Sequence, residues 1–138
     1  MAQLSPYLHF DGTCKQAMEF YKKCLGGELE LQTVGETPWA KDMPEMPGAK
    51  KDSIMHSTLK KDNWILMASD MMDPSSFTKG DTVSVCLVCE SKQEIETLYK
   101  KLSVGADIFM ELAEQPFGTF AMFTDKFGTE WILQFDGK

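Results

Sequence analysis

Few side chains in this sequence have the chemistry of a catalytic group, and the two histidines, His9 and His56, come first. An imidazole ordinarily titrates near neutrality, which suits acid–base catalysis. We therefore take His9 as the best candidate for acid–base work, with Glu130 as the carboxylate that orients it or acts as a base. The alternative is that His9 lies at a strand end, hydrogen-bonded to backbone or water, and that His56 belongs to a sheet or an interface.

The four cysteines are weaker candidates. Cys86 and Cys89 have the C-x-x-C spacing of zinc and redox motifs, but they lie in a predicted strand with no second Cys/His pair nearby. The sequence therefore favours reduced thiols buried in a core. The sequence also contains no nucleophile motif, no glycine-rich phosphate loop and no nucleotide-type turn for S-adenosylmethionine, so no cofactor is predicted.

The charge of the chain argues against two classes of partner. Its 138 residues carry a net charge of -7, with an isoelectric point near 4.8 and no arginine. Nucleic acids and anionic membranes are bound through clustered Lys and Arg, and adjacent lysines occur here only in pairs. The sequence shows no signal peptide and no apolar run long enough to span a bilayer, so a cytoplasmic protein is predicted.

The elements that must hold the candidate residues follow an internal repeat. Thr13 matches Ser91 and Gly27 matches Gly105, each pair 78 positions apart. Both segments open with the Ser/Thr-x-x-Glu/Gln pattern of a capping box and end in glycine, which tolerates the left-handed conformation past a helix end. Apolar residues recur at helical spacing in both, so helices that bury one face are predicted over residues 13–25 and 91–104.

A second match follows the helices at a smaller offset. The tripeptide Trp64-Ile65-Leu66 recurs as Trp131-Ile132-Leu133, 67 positions later. The first half therefore has about 11 extra residues, which we assign to a variable loop at 36–52. Strands are predicted over residues 3–10, 28–34, 53–60, 64–69, 82–89, 106–112, 118–124 and 129–135. Each half is thus strand–helix–strand–strand–strand, with a linker at about 70–81.

A duplicated βαβββ unit of this length resembles the vicinal oxygen chelate superfamily, also called glyoxalase/bleomycin-resistance/dioxygenase proteins. The stretches PYLHFDGTCKQAMEFYKKCLGGELE, IMHSTLKKDNWILMASD and FGTFAMFTDKFGTEWILQF are most similar to its PhnB-like branch. The resemblance covers nearly the whole chain and implies a single α+β domain. Two βαβββ modules, at about 1–70 and 82–138, are expected to form a curved eight-stranded mixed sheet around a cleft. A homodimer, whose partner helps to line the cleft, is also implied.

The resemblance makes the metal site a test of mechanism. Superfamily enzymes hold one divalent metal, usually through His and Glu, and the metal polarises a carbonyl or enediolate oxygen. The family pattern carries the ligand positions onto Ser5, Val83, Ile132 and either Ile65 or Met67. Most of these side chains have no donor suited to a hard or borderline divalent cation. We therefore predict no metal and no metal-dependent glyoxalase I activity.

Strand alternation extends the implied site, because successive side chains point to opposite faces. The residues predicted to face the cleft are Ser5, Tyr7, His9, Ile65, Met67, Ser69, Val83, Glu130, Ile132 and Gln134. Apolar walls with a few polar groups are the usual make-up of a small-molecule pocket. Trp39 in the variable loop is expected to cover either the cleft or a dimer partner.

Three functions remain open at this point. We favour a PhnB-like protein that binds a small organic molecule in its cleft without the family metal. The second is a sequestration protein of the bleomycin-resistance kind, whose acidic cleft takes cationic ligands; the net charge of -7 and Glu130 favour it. The third is a metal-dependent lyase or isomerase of the glyoxalase type, which recruits its metal through His9, Glu130 or His56.

Overall fold

The computed structural model describes residues 2–36, 50–73, 75 and 77–137. The chain divides into two compact modules, Met1–Thr78 and Lys79–Lys138, and the boundary falls within the predicted linker. The prediction for Trp39, and most of the variable loop at 36–52, lies outside the described residues.

Each module has the predicted order strand–helix–strand–strand–strand. The first contains β1 (Tyr7–Phe10), α1 (Cys14–Leu25), β2 (Glu28–Thr33), a 3₁₀ turn (Val34–Glu36), β3 (Ile54–Lys61) and β4 (Trp64–Asp70). The second contains β5 (Val85–Val88), α2 (Lys92–Leu102), β6 (Asp107–Gln115), β7 (Gly118–Thr124) and β8 (Glu130–Phe135). The strands predicted over 3–10 and 82–89 were too long, since only their last few residues pair with a neighbouring strand.

The two modules have the same sheet topology. The strand orders are β1–β4–β3–β2 and β5–β8–β7–β6. In each sheet the outer pair, β1 with β4 or β5 with β8, is parallel and the other pairs are antiparallel. The predicted α+β class and duplicated βαβββ arrangement are confirmed, and the eight described strands are hydrogen-bonded as two sheets of four.

One face of each sheet is buried beneath a helix. Helix α1 buries Cys14, Ala17, Met18, Tyr21, Cys24 and Leu25, at the spacing of one helical stripe. The first sheet meets α1 with Leu59, Leu66 and Ala68, which are almost inaccessible to solvent. Burial of such apolar area, at roughly 25 cal/mol per Å², is the main force that holds helix to sheet.

The second module repeats this packing with larger aromatic side chains. Helix α2 buries Ile95 and Leu102, and the Tyr99 ring meets the Phe123 ring edge-on at 5.9 Å between centroids. Trp131 and Leu133 of β8 are fully buried, and β8 packs against α2. The alternating apolar residues of the last strand therefore face the core, as predicted.

The starts of the two helices differ, and one predicted capping box is wrong. Ser91 Oγ accepts a hydrogen bond from the Glu94 N–H at 3.0 Å, as a capping box requires. Thr13 makes no such bond. The Cys14 N–H instead donates to Asp70 Oδ1 at 2.9 Å, so a buried carboxylate at the end of β4 replaces the local cap.

Candidate functional site

One contact and strand alternation together determine which residues lie on the face of the first sheet that points away from α1. Ser57 Oγ lies 3.6 Å from Cys14 Sγ of α1, so Ser57 faces the helix and its neighbours on β3 face the other way. The pairing of β3 with β4, and of β4 with β1, carries this assignment across the sheet. We call the result the first open face; it carries Tyr7, His9, His56, Thr58, Lys60, Ile65, Met67 and Ser69, with Glu28, Glu30 and Gln32 of β2.

A hydrogen-bonded group of three side chains lies at the centre of the first open face. Tyr7 Oη is 3.2 Å from His56 Nδ1, and Thr58 Oγ1 is 3.3 Å from His56 Nε2. Since β4 lies between β1 and β3 in the sheet, the Tyr7 side chain must cross over β4 to reach His56. Both ring nitrogens of His56 therefore have a hydroxyl partner, and the orientation of the imidazole is fixed by two strands.

His9 lies next to this group. Its ring centroid is 5.2 Å from that of Tyr7, and the Tyr7 and His56 centroids are 5.8 Å apart. On the neighbouring strand His9 pairs with Ser69, which is buried. His9 itself is exposed, so a ligand on this face can meet its imidazole directly.

The second sheet has its own open face. Phe123 packs on α2 and pairs with Trp131, so the neighbouring positions on β7 and β8 point away from the helix. This second open face carries Cys86, Val88, Phe120, Met122, Thr124, Glu130, Ile132 and Gln134. His9 and Glu130, the suggested catalytic pair, thus belong to different modules, and the described partners of His9 are those of the first open face.

An acidic cavity of about 380 Å³ lies at one end of the second sheet, where β8 begins and β7 ends. Its lining residues are Asp81, Ser84, Asp107, Ile108, Phe109, Met122, Phe123, Thr124, Glu130 and Trp131. Three carboxylates therefore share the cavity with aromatic and thioether side chains, and no lysine is among the described residues that line it. Such a lining favours a cationic group attached to an apolar body.

Two predicted cleft residues precede their strands. Ser5 is half-buried and lies two positions before β1, whereas Val83 lies outside β5 and is 77% exposed. Neither residue is in the register that pairs β1 with β4 or β5 with β8, so the first strand of each module does not reach the predicted position.

The side chains at the implied metal positions do not fit a divalent cation. Ile65 and Ile132 occupy their open faces with hydrocarbon side chains. Across residues 2–36, 50–73 and 77–137, no group of three or more His, Cys, Asp and Glu side chains is placed to hold a metal ion. The donors present therefore differ from the His and Glu set that the resemblance implies.

The cysteines are free thiols, and one of them departs from the prediction. Cys14, Cys24 and Cys89 are buried, as expected, but Cys86 is exposed because it points to the second open face. Partial burial of this exposed residue's sulfur, with the negative charge of Asp136, raises the pKa of the Cys86 thiol. Burial, with the charge of Glu94, raises the pKa of Cys89 to about 11. A redox-active C-x-x-C pair needs a depressed thiol pKa, so this pair lacks the chemistry of one.

The feature that sequence reasoning missed is the contact between His56 and Tyr7. The alternation of β3 places His56 and Thr58 on one face, and this much is visible in the sequence. The register that brings β1 beside β4, and so within reach of β3, is not a local property. A prediction of that register would have joined the two histidines in a single site.

Comparison with known proteins first identifies the class of fold to which the chain belongs. Two four-stranded sheets of this topology, each with one helix, are the fold of glyoxalase/bleomycin resistance protein/dioxygenase proteins, whose solved structures align at TM-scores of 0.62 and 0.55. Their identity to this chain is 14% and 20%, so the likeness concerns the fold alone. Within that class, the chain belongs to the family described as 3-demethylubiquinone-9 3-methyltransferase, whose family model matches residues 2–134.

Individual relatives agree with this assignment. Protein PA1353 from Pseudomonas aeruginosa is 35% identical, with a TM-score of 0.86 over the whole of both chains. Protein YjdN from Escherichia coli (strain K12) is 29% identical over 137 residues, which cover 94% of this chain and 92% of that protein. A PhnB protein from Bacillus cereus, described by the same methyltransferase name, is 24% identical with a TM-score of 0.75, covering 97% and 99% of the two chains. The resemblance to the PhnB-like branch is thereby confirmed.

Proposed function

We propose that this PhnB-like protein binds a small organic molecule in the cleft that the resemblance implies, and does so without the family metal. The observation that carries the proposal is the Tyr7–His56–Thr58 group on the first open face, with the exposed imidazole of His9 beside it. A few convergent polar groups next to apolar side chains, here Met67 and its neighbours, are the usual composition of a ligand site.

Catalysis is not needed to account for this arrangement. His9 can exchange a proton with a bound molecule because its ring is exposed. Within the first module, no described carboxylate is hydrogen-bonded to it. We therefore assign His9 and the Tyr7 hydroxyl to binding; Glu130 belongs to the second open face.

A fragment screen by NMR tests the proposal. Chemical-shift changes are expected at Tyr7, His9 and His56 when neutral and anionic aromatic fragments are added. Tyr7→Phe should weaken this binding, whereas Tyr99→Phe, the same substitution at a ring that packs on Phe123, should leave it unchanged. Equal effects of the two substitutions would contradict a site on the first open face.

Metal content is tested separately, by elemental analysis of protein purified without chelator and then dialysed against Ni, Zn, Mn or Fe salts. Uptake well below one metal per chain is expected, because Ile65 and Ile132 offer no donor atoms. Stoichiometric uptake would favour the metal-dependent lyase or isomerase instead. His9, His56 and Glu130 would then be the first residues to replace.

A second candidate function is sequestration of a cationic molecule, as proposed for an acidic cleft. The acidic cavity lined by Asp81, Asp107 and Glu130 favours it. Benzylamine serves as the probe: its binding to the second module should weaken as salt is added, since the attraction is between charges partly open to solvent. Asp107→Asn should weaken it further, and Asp52→Asn, an exposed carboxylate of the first module, should not.

The homodimer and the cytoplasmic location belong to the same proposal. None of the described helices is long and apolar enough to cross a membrane. Light scattering coupled to gel filtration measures the mass of the assembly, and twice the 15.6 kDa of one chain is expected.

A further inference from the structure

We propose that His56 is a positioning residue that decides which hydrogen bonds Tyr7 and Thr58 offer to a ligand, and that the first open face takes a ligand with an ionised oxyanion, a carboxylate being the simplest case. The inference rests on the proposed function, because it names the ligand chemistry of the same site. The carboxylates of the acidic cavity, by contrast, belong to the second module.

The hydrogen-bonded group of Tyr7, His56 and Thr58 has only a few protons to share. A neutral imidazole has one N–H and one bare nitrogen, and each hydroxyl has a single proton. Since both nitrogens of His56 contact a hydroxyl, one hydroxyl must donate to the ring while the other accepts from it. Only the accepting hydroxyl then has a proton left for a ligand.

Protonation of His56 changes the number of hydroxyl protons that are free to bind a ligand. Both ring nitrogens become donors, so the Tyr7 and Thr58 hydroxyls both accept from the ring. Both hydroxyl protons are then available to a ligand, and the imidazolium adds a positive charge behind them. Hydrogen bonds and charge therefore change in the same direction, and both favour an oxyanion.

The position of Tyr7 makes this change accessible to a ligand. Tyr7 is 40% exposed, and its side chain crosses β4 to reach His56. The exposed His9 lies on one side of the Tyr7 ring, at 5.2 Å between centroids. A carboxylate placed over β4 would therefore meet the Tyr7 hydroxyl and the His9 imidazole together.

The charged groups around His56 place the oxyanion on the β1 side of the face. Strand β1 contributes the titratable side chains of Tyr7 and His9, and β3 contributes Lys60. The open-face positions of β4, Ile65, Met67 and Ser69, carry no charge. Asp70 of β4 faces α1, where it accepts from Cys14 and Ile54.

Strand β2 provides the only negative charges among these described neighbours. Glu28 pairs with Lys60, and Glu30 pairs with Thr58. An anion near Thr58 would therefore be repelled by the neighbouring Glu30, whereas one over β4, between the Tyr7 hydroxyl and His9, has strand β3 between it and that carboxylate. The oxyanion is expected over Tyr7.

The experiment compares benzoate with its neutral isostere benzamide, by NMR titration of the full chain. Histidines change charge between about pH 5 and about pH 8, and benzoate remains ionised in that range. Benzoate affinity should rise about fivefold from the upper to the lower pH, a change typical of one charge-assisted contact in a partly exposed site. Benzamide affinity should be unchanged.

His56→Gln separates the positioning role from simple packing, because glutamine keeps hydrogen-bonding groups but does not titrate. The rise in benzoate affinity should be smaller in this variant than in the wild type, and it should be lost when His9→Gln, at the other imidazole of this face, is added. An equal rise in His56→Gln and in the wild type would assign the titration to another group and overturn the inference. Benzamide binding with no preference for benzoate at either pH would overturn it too, while leaving the proposed function intact. Failure of both probes to bind would contradict the proposed function as well.

A measurement on the wild-type chain guards against misfolding of the variant. The ring nitrogen shifts of His56 should pass from one N–H to two over the same pH range in which benzoate affinity rises. If these shifts stay constant while the affinity changes, His56 does not set the hydrogen bonds and the inference fails.

Discussion

The two modules share one topology, yet each uses its buried carboxylate differently. In the first, Asp70 accepts from the Cys14 N–H at 2.9 Å and from the Ile54 N–H at 2.8 Å, so it ties β4 to the starts of α1 and β3. In the second, Asp125 acts within its own turn and accepts from the Phe127 and Thr129 amides. The described hydrogen bonds of Asp70 therefore join residues far apart in sequence, and those of Asp125 join near neighbours.

The open faces differ as much as the carboxylates do. The first presents hydroxyl and imidazole groups held by hydrogen bonds, whereas the second presents Phe120, Met122 and Ile132 with Glu130 at its end. The helix-covered faces have nevertheless kept the same apolar alternation. The two modules thus share the core pattern that packing demands, while their exposed faces carry different side chains.

The largest effect is expected from Asp125→Ala. This carboxylate is 4% exposed and accepts three described hydrogen bonds, from Phe127 N, Thr129 N and Trp131 Nε1. Its loss removes a buried acceptor of three hydrogen bonds and should lower the free energy of unfolding by about 3–5 kcal/mol. Urea denaturation measures the change. Asp136→Ala, at an exposed carboxylate, is the control and should cost under about 0.5 kcal/mol.

Asp70→Ala should have a somewhat smaller effect, of about 2–4 kcal/mol, because two donors rather than three lose their acceptor. The loss of stability should also reach two parts of the chain that are far apart in sequence. Hydrogen exchange should accelerate at Cys14 and at Ile54, which are 40 positions apart in sequence. Acceleration confined to one of the two amides would contradict the view that Asp70 joins helix and strand. Asp11→Ala, an exposed carboxylate just before α1, serves as the control.

These carboxylates show what the sequence can and cannot predict. The helices, the strand order and the buried face of β8 follow from capping patterns, glycines and alternation, which are local signals. The contact of Asp70 with Cys14 joins residues 56 positions apart and has no local signature.

The buried thiols predict how the modules respond to alkaline pH. Burial, reinforced by the charge of Asp70 and opposed by the hydrogen bond between Cys14 and Ser57, raises the pKa of Cys14 from 9.0 to about 12. The corresponding pKa in the second module, that of Cys89, is about 11. A raised pKa means that the folded chain keeps protons that the unfolded chain loses. The stability contributed by these thiols is therefore complete below pH 9 and is lost as the pH rises through the folded values.

The measurement is the free energy of unfolding as a function of pH above 9. Each such thiol contributes a slope of at most about -1.4 kcal/mol per pH unit. In Cys14→Ala the free energy of unfolding should fall less steeply with pH than in the wild type. This difference should extend to a higher pH than for Cys89→Ala, because the thiol pKa of Cys14 is higher than that of Cys89. Identical pH curves for the wild type and both variants would show that neither thiol is linked to folding.

The smallest difference is expected at the helix starts, where it is also the most direct test of the comparison. Ser91→Ala removes the acceptor of the Glu94 N–H and should cost about 1 kcal/mol, as for other N-cap residues. Thr13→Ala should cost under about 0.5 kcal/mol, because Thr13 makes no cap bond and Asp70 holds the start of α1 instead. In an Asp70→Ala background the Thr13 hydroxyl has an opportunity to cap α1, so Thr13→Ala should then cost more than it does alone. Additive effects of the two substitutions would mean that the carboxylate and the local cap are not alternatives.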